Sequence, residues 1–184
     1  MPHLKNWKTL SSSYLYKTPF GNLRKDTCEL PDGHIIQDYY VNEYSDWVNA
    51  IVITKKQEIV LVKQYRHAAQ SSFIEVPAGK PEKDESYEEA IVRELREETG
   101  YTSINPPLFL GELYVNPATQ TNKVISYLIT DAELTYKQDL DDTEEIDVLL
   151  LDYQAMSKMI KTGEINHLFT VNAYYLSKDY LEQE

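Results

Sequence analysis

At 184 residues and 42% apolar composition the chain is long enough for one sizeable hydrophobic core with a small N-terminal extension. Its net charge of −12, from 18 Lys and Arg against 30 Asp and Glu, excludes a broad nucleic-acid surface, because nonspecific affinity for polyphosphate comes from basic side chains displacing counterions. A single cysteine, Cys28, excludes an internal disulfide scaffold, the opening MPHLKNWKTL has no apolar signal region, and no aliphatic run approaches a membrane span, so a reducing, cytoplasmic setting without a membrane partner is expected.

In chain order, residues 1–45 read as an N-terminal β extension, polar and Tyr-rich, with β-like stretches at 13–18 and 34–41, the second after an Asp32-Gly33 turn signal. Residues 46–184 read as the main domain. The β-branched runs 49–54 and 58–65, separated by Lys55-Lys56-Gln57, predict a hairpin, and 73–76 is a further short strand ended by Pro77. The period then changes. Ser86 with Glu89 three residues on is a capping box, and 87–99 has helical spacing closed by Gly100. Strand-like segments follow at 108–115, 124–130 and 146–151, then two helices, one after Asp152 that stops near Gly163 and one over 167–181. No repeat or low-complexity linker interrupts the chain, and the pattern predicts an α+β or α/β/α layered architecture.

At about 100° per residue, Tyr87, Ala90, Ile91 and Leu95 share one side of the 87–99 helix and are expected to face the core. Glu94, Glu97 and Glu98 fall in the same arc, so the inward stripe turns acidic in its last turns. Like charges three and four residues apart repel, and the helix C-terminus disfavours anions. The plain alternative is a solvated acidic face neutralised by Arg93 and Arg96. The functional alternative is a set of hard oxygen ligands for Mg²⁺ or Mn²⁺, leaving positions open for water and phosphate. It also explains how so acidic a protein binds an anion.

The surrounding residues favour the second. Gly79, five residues, Glu85, seven residues, then Arg93-Glu94-Leu95-Arg96-Glu97-Glu98-Thr99-Gly100-Tyr101 resembles the Nudix box at every fixed position except the last, where Tyr101 replaces an aliphatic residue at a packing position. Outside the box, Val62-Lys63-Gln64-Tyr65-Arg66 and Glu75-Val76-Pro77-Ala78-Gly79 resemble the ADP-ribose pyrophosphatase-like branch, as does Pro117, sixteen residues beyond Tyr101. The segment Asn116-Pro117-Ala118-Thr119-Gln120-Thr121-Asn122 departs from the branch's usual Ser-Pro-Gly-Phe form and leaves the sugar or base preference open.

The resemblance implies a Nudix-type α/β/α sandwich with a mixed central sheet and a small N-terminal β layer. It implies Mg²⁺, or Mn²⁺, bound by Glu94, Glu97, Glu98 and the backbone carbonyl of Ala78. Arg93 would lock a carboxylate by a bidentate salt bridge, Gly79 would let the backbone turn beside the metal, and Glu85 would brace the loop. Arg66 and Glu75 are candidate substrate-binding residues, with Arg66 binding a phosphate or fixing Glu75. Trp47 is a candidate stacking platform for a base, as are Tyr39 and Tyr40, although core packing explains many of the chain's 15 tyrosines. Because a metal-bound carboxylate is a poor proton acceptor, the general base is expected in the acidic run 141–145, Glu144 first and Glu145 second, with Glu97 next. His3, His34, His67 and His167 lack metal-ligand spacing and receive no role.

The expected activity is therefore hydrolysis of the pyrophosphate of a nucleoside diphosphate derivative, ADP-ribose first, by a homodimer in which the N-terminal β layer helps to complete the site. The rivals are another nucleotide substrate, such as a different sugar nucleotide, a dinucleoside polyphosphate or a nucleoside triphosphate, and a catalytically silent sensor of nucleotide sugars. An isomerase on this fold would need a placed catalytic cysteine, and Cys28 lies in the extension.

Overall fold

Strand β4 (Trp47–Thr54) carries apolar side chains on both faces, which is what a strand between two helical layers requires. In the computed structural model, which describes residues 5–181, Val48, Ala50 and Val52 enter one core cluster while Ile51 and Ile53 enter another. The first cluster is closed by Ala90, Ile91 and Leu95 of α1 (Tyr87–Thr99). The second is closed by Tyr153 and Met156 of α2 (Tyr153–Thr162) and by Ala173 and Tyr174 of α3 (Leu168–Leu181). Each fully buried Ile or Leu contributes roughly 1.5–3 kcal/mol, so these two clusters fix the layering.

The central sheet is mixed, as expected. β4 pairs antiparallel with β5 (Glu58–Arg66) and parallel with β10 (Lys123–Leu134). β11 (Ile146–Asp152) extends the sheet beyond β5 and β8 (Tyr101–Thr102) extends it beyond β10. Short strands attach to this path: β6 (Ser71–Glu75) to β5, β7 (Ala78–Gly79) to β4, and β9 (Leu108–Tyr114) to β10. This is the α/β/α sandwich the sequence predicts. Helix α1 also starts and stops as read: Glu89 N–H donates to Ser86 Oγ, Ser86 N–H donates to Glu89 Oε2, and Gly100 ends the helix in the left-handed region at φ 76°. Tyr87 corrects the expectation. At the first helical position, ahead of the packed turns, it is 37% exposed, and its hydroxyl donates to Asp46 at 2.6 Å.

Two compact units share these elements. One runs up to Ser45 and adds Tyr114–Lys123; the other comprises Asp46–Leu113 and the chain from Val124 onward. The first is a three-stranded antiparallel sheet, β1 (Lys8–Thr18), β2 (Gly21–Glu29) and β3 (Ile35–Glu43). β2 has no counterpart in the sequence reading, because its run of polar and charged residues hides the alternation that buries Asp26 and Cys28. Segment 114–123 docks on β3, with Asn42 N–H donating to Thr119 O at 2.8 Å and Thr121 N–H to Asn42 O at 3.2 Å. His3 lies outside the described residues. Among the described residues, no helix is long and apolar enough to cross a membrane.

Candidate active site

Helix α1 and the two-residue strand β7 meet at the acidic end of the helix. Ala78 N–H donates to Glu98 Oε2 at 3.0 Å, and Glu98 is buried. Gly79 is needed for a different reason from the tight turn expected of it. A Cβ at this position would lie 1.9 Å from Glu94 Cδ and 2.0 Å from its Oε1, so only glycine lets the carboxylate lie against the backbone. The Ala78–Gly79 segment therefore receives Glu94 and Glu98 together.

Arg93 holds more than one carboxylate. Its Nε and Nη2 donate to the two Glu85 oxygens at 2.9 and 3.0 Å, its Nη1 donates to Glu94 Oε1 and Glu97 Oε2, each at 3.0 Å, and its Nη2 reaches Lys80 O at 3.0 Å. The hydrogen-bonded Arg93 guanidinium holds Glu85 below its ordinary value. Glu97 also accepts from Arg96 Nη2 at 2.9 Å. Thus Glu94 and Glu98 face β7 while Glu97 sits between two guanidiniums, and among the described residues no three Asp, Glu, His or Cys side chains are already gathered as a metal cage.

Electrostatics still mark the spot. Burial pushes Glu98 up to about 8, the charges of Glu94 and Glu144 push the same way, and the Ala78 hydrogen bond and Arg66 oppose them without prevailing. Burial likewise raises Glu94, with Arg93 opposing. Two under-compensated carboxylates against a backbone segment form a hard-oxygen donor set, which is the chemistry that suits a divalent ion. The residues present fit Mg²⁺ or Mn²⁺.

The loop after β10 closes the other side. Gln138 Nε2 donates to Glu98 O at 2.7 Å and Ile146 O at 3.0 Å, and Asp139 N–H donates to Glu97 O at 2.9 Å. These bonds set the acidic run over a cleft lined by Glu82, Arg93, Glu94, Glu97, Asp139, Asp141 and Glu144. Glu144 is tied to its own turn, accepting from Asp141 N–H at 3.2 Å, whereas Glu145 is exposed and is not among the residues lining the cleft.

Beside this cleft, Arg66 grips Glu75 in a bidentate pair, Nε to Oε1 at 2.8 Å and Nη2 to Oε2 at 2.7 Å. Glu75 is 0% exposed, so of the two it is the arginine that can meet a ligand. Trp47 lies 6.3 Å from Phe169, ring centre to ring centre, and Lys80 Nζ stands 5.2 Å above its ring. Tyr39 and Tyr40 belong to β3 in the other unit. His34 and His67 lie in connecting segments, but His167, given no role from sequence, stands 3.4 Å from Glu75 Oε2. Glu75 is some ninety residues away in sequence, and no local pattern signals the pairing. Asn49 was legible in principle, as an amide inside an aliphatic strand; its Nδ2 donates to Phe169 O at 3.2 Å.

The family profile described as "NUDIX domain" matches residues 44–169. The chain belongs to the Nudix family. A second profile, the nucleoside diphosphate sugar hydrolase N-terminal domain, matches residues 7–42 of this Nudix pyrophosphohydrolase. Its relatives include the ADP-ribose pyrophosphatase of Bacillus subtilis (strain 168), 28% identical over 159 residues covering 86% of this chain and 85% of that protein. The GDP-mannose pyrophosphatase of Escherichia coli (strain K12) is 32% identical over 179 residues, covering 89% and 88%. The methanol dehydrogenase activator of Bacillus methanolicus is 31% identical over 169 residues, covering 90% and 89%. A solved structure, described as the crystal structure of ADP compounds hydrolase, superposes with a TM-score of 0.85 over 99% of this chain and 97% of that one at 18% identity, a likeness of fold.

Proposed function

We propose that this Nudix protein hydrolyses the pyrophosphate bond of a nucleoside diphosphate sugar, ADP-ribose before others, giving AMP and ribose 5-phosphate. The observation that carries the reading is the pair of under-compensated carboxylates, Glu94 and Glu98, against the Ala78–Gly79 backbone. When bound by Glu94, Glu97, Glu98 and the Ala78 carbonyl, Mg²⁺ or Mn²⁺ neutralises the diphosphate and lowers the pKa of a water. Arg93 holds the carboxylates of Glu85, Glu94 and Glu97 in register. Arg66, anchored by buried Glu75, offers its remaining N–H groups to a phosphate oxygen, and Trp47 is the stacking platform for the base. Glu144 takes the proton of the attacking water as the new P–O bond forms and the anhydride P–O bond breaks; Glu145 is the second choice for that role.

GDP-mannose is the second reading, favoured by the 32% identity to the Escherichia coli enzyme over 179 residues. Turnover of ADP-ribose, GDP-mannose and ATP with Mg²⁺, read as phosphate released by a coupled phosphatase, tests both. ADP-ribose is expected to give the highest kcat/KM; a clear preference for ATP refutes the nucleotide-sugar reading.

A cytoplasmic homodimer is part of the same proposal. Every residue of β1 is exposed, Leu10, Tyr14, Leu15 and Tyr16 among them, and a second copy of the chain is the occupant inferred for that strand. Light scattering on the purified chain is expected to give twice the mass of one chain, and a monomer at micromolar concentration refutes the dimer.

A further inference from the structure

The Arg66–Glu75 pair has a third member. His167, directly ahead of α3, places Nδ1 3.4 Å from Glu75 Oε2 and 3.2 Å from Thr170 Oγ1. A carboxylate can only accept a hydrogen bond, so His167 can tie to Glu75 only as the tautomer with its hydrogen on Nδ1; Thr170 Oγ1, hydrogen-bonded to the same nitrogen, fits either tautomer. Burial keeps the imidazole below its ordinary pKa and hence neutral at neutral pH. The ring is fixed in turn: Thr170, fully buried, accepts from Val76 N–H at 3.1 Å, and Asn49 Nδ2 holds the carbonyl of Phe169, whose ring lies 5.4 Å from the imidazole. The entry of α3 is thereby latched to β4 and to the residue after β6, two and three residues beyond His167.

We propose that His167 is a positioning residue for substrate binding, acting through Glu75 on Arg66. A bidentate arginine–carboxylate pair is planar but can swing as a unit about the carboxylate stem. A further contact on Oε2 removes that swing. The Nε and Nη2 donors are spent on Glu75, and the rest of the guanidinium, which feels the charges of Glu98 and Glu144, is held toward the acidic cleft. The anion anchor is thus set before substrate arrives. The inference rests on the reading of Arg66 as a diphosphate anchor.

Steady-state kinetics with ADP-ribose and Mg²⁺ on His167→Phe, His167→Asn, Arg66→Gln and the His167→Phe/Arg66→Gln double variant test it. Phe keeps the ring and loses the donor; Asn keeps an N–H near the Nδ1 position. His167→Phe is expected to raise KM roughly tenfold with kcat within about twofold, the size of one hydrogen bond to a charged group, while His167→Asn stays near wild type. Adding His167→Phe to Arg66→Gln is expected to raise KM no further. If Arg66→Gln raises KM and His167→Phe does not, or if the Phe and Asn variants are equally impaired, His167 is a packing residue and the inference falls alone. If Arg66→Gln leaves KM unchanged, the anchor reading falls and the inference with it. Nitrogen-15 NMR of the unaltered protein gives a reading that does not depend on any variant folding: the Nδ1–H tautomer at neutral pH supports the proposal, and the Nε2–H tautomer overturns it.

Discussion

Two arginines organise this molecule in opposite ways. Arg93 gathers Glu85, Glu94 and Glu97, all within eight residues of it, and its side chain is 20% exposed at the rim of an acidic cleft. Arg66 grips one carboxylate, Glu75, that is completely buried and braced by His167 from the far end of the chain. Around Arg93 acids are in excess, and Glu98 beside them is pushed up to about 8, so that cluster is built to receive a cation. Around Arg66 the one buried carboxylate is matched by the guanidinium, and under the proposed function the N–H groups not spent on Glu75 are the ones that meet an anion. Together they account for how a chain of net charge −12 handles a diphosphate.

The sharpest test of the contrast is to remove the cation. EDTA is expected to abolish turnover and Mg²⁺ or Mn²⁺ to restore it. Full activity in chelator refutes the cation reading. Next in size is Glu144→Gln, expected to lower kcat by about 10²–10⁴-fold with KM and metal activation nearly unchanged. Wild-type kcat in Glu144→Gln, Glu145→Gln and the double variant moves the base elsewhere, with Glu97 next in line.

The two arginines then separate by which constant they move. Arg93→Lys keeps the charge but loses the fork to Glu85, and is expected to lower activity about 10–100-fold, with a higher Mg²⁺ requirement, as for a residue that orients metal ligands. Arg66→Lys is expected to act on KM for the nucleotide instead. Equal effects of both on metal activation, measured by Mg²⁺ titration of kcat, erase the distinction.

The same contrast explains what was legible in the sequence. Every carboxylate that Arg93 grips lies between Gly79 and Gly100, so helical periodicity, the Ser86 capping box and the box spacing exposed them residue by residue. The α/β/α layering was legible too, because β4 alternates between two cores along a continuous apolar run. His167 and Thr170 were not, since contacts that join the end of β6 to the entry of α3 leave no trace in local pattern, and Asn49 stands out only as an amide inside an aliphatic strand whose partner is far along the chain. The purpose of Gly79 was misread for a related reason: the demand comes from Glu94, packed against it across the fold, and not from its own backbone angles. β2 was hidden because its charged residues are paired along one small sheet, as Arg24 with Asp26, Lys25 with Asp38 and Glu29 with Lys8, and such pairs do not alternate with apolar ones.

The smallest effect expected is on stability, and it isolates Glu98. Its folded value of about 8 lies above the ordinary 4.5, so the metal-free fold prefers the protonated carboxyl. That contribution is fully present below about pH 4.5, shrinks as the pH rises, and is gone once the pH has passed about 8, where the buried carboxylate carries its full charge. His167 shifts the opposite way: lowered by burial, it contributes stability above its ordinary pKa and loses it as the pH falls, so the bare pH profile of the wild type mixes the two. Glu98→Gln removes only the first. The variant keeps an oxygen for Ala78 N–H and is neutral throughout, so in EDTA its melting temperature is expected to match wild type near pH 4.5 and to exceed it by a growing margin toward pH 8. Mg²⁺ is expected to reverse the order at pH 8 by stabilising only the wild type, since a ligand that binds the folded state raises its stability by mass action. Melting curves of the two proteins that stay parallel across this pH range in EDTA would show that Glu98 is an ordinary carboxylate and that the under-compensated charge is not there.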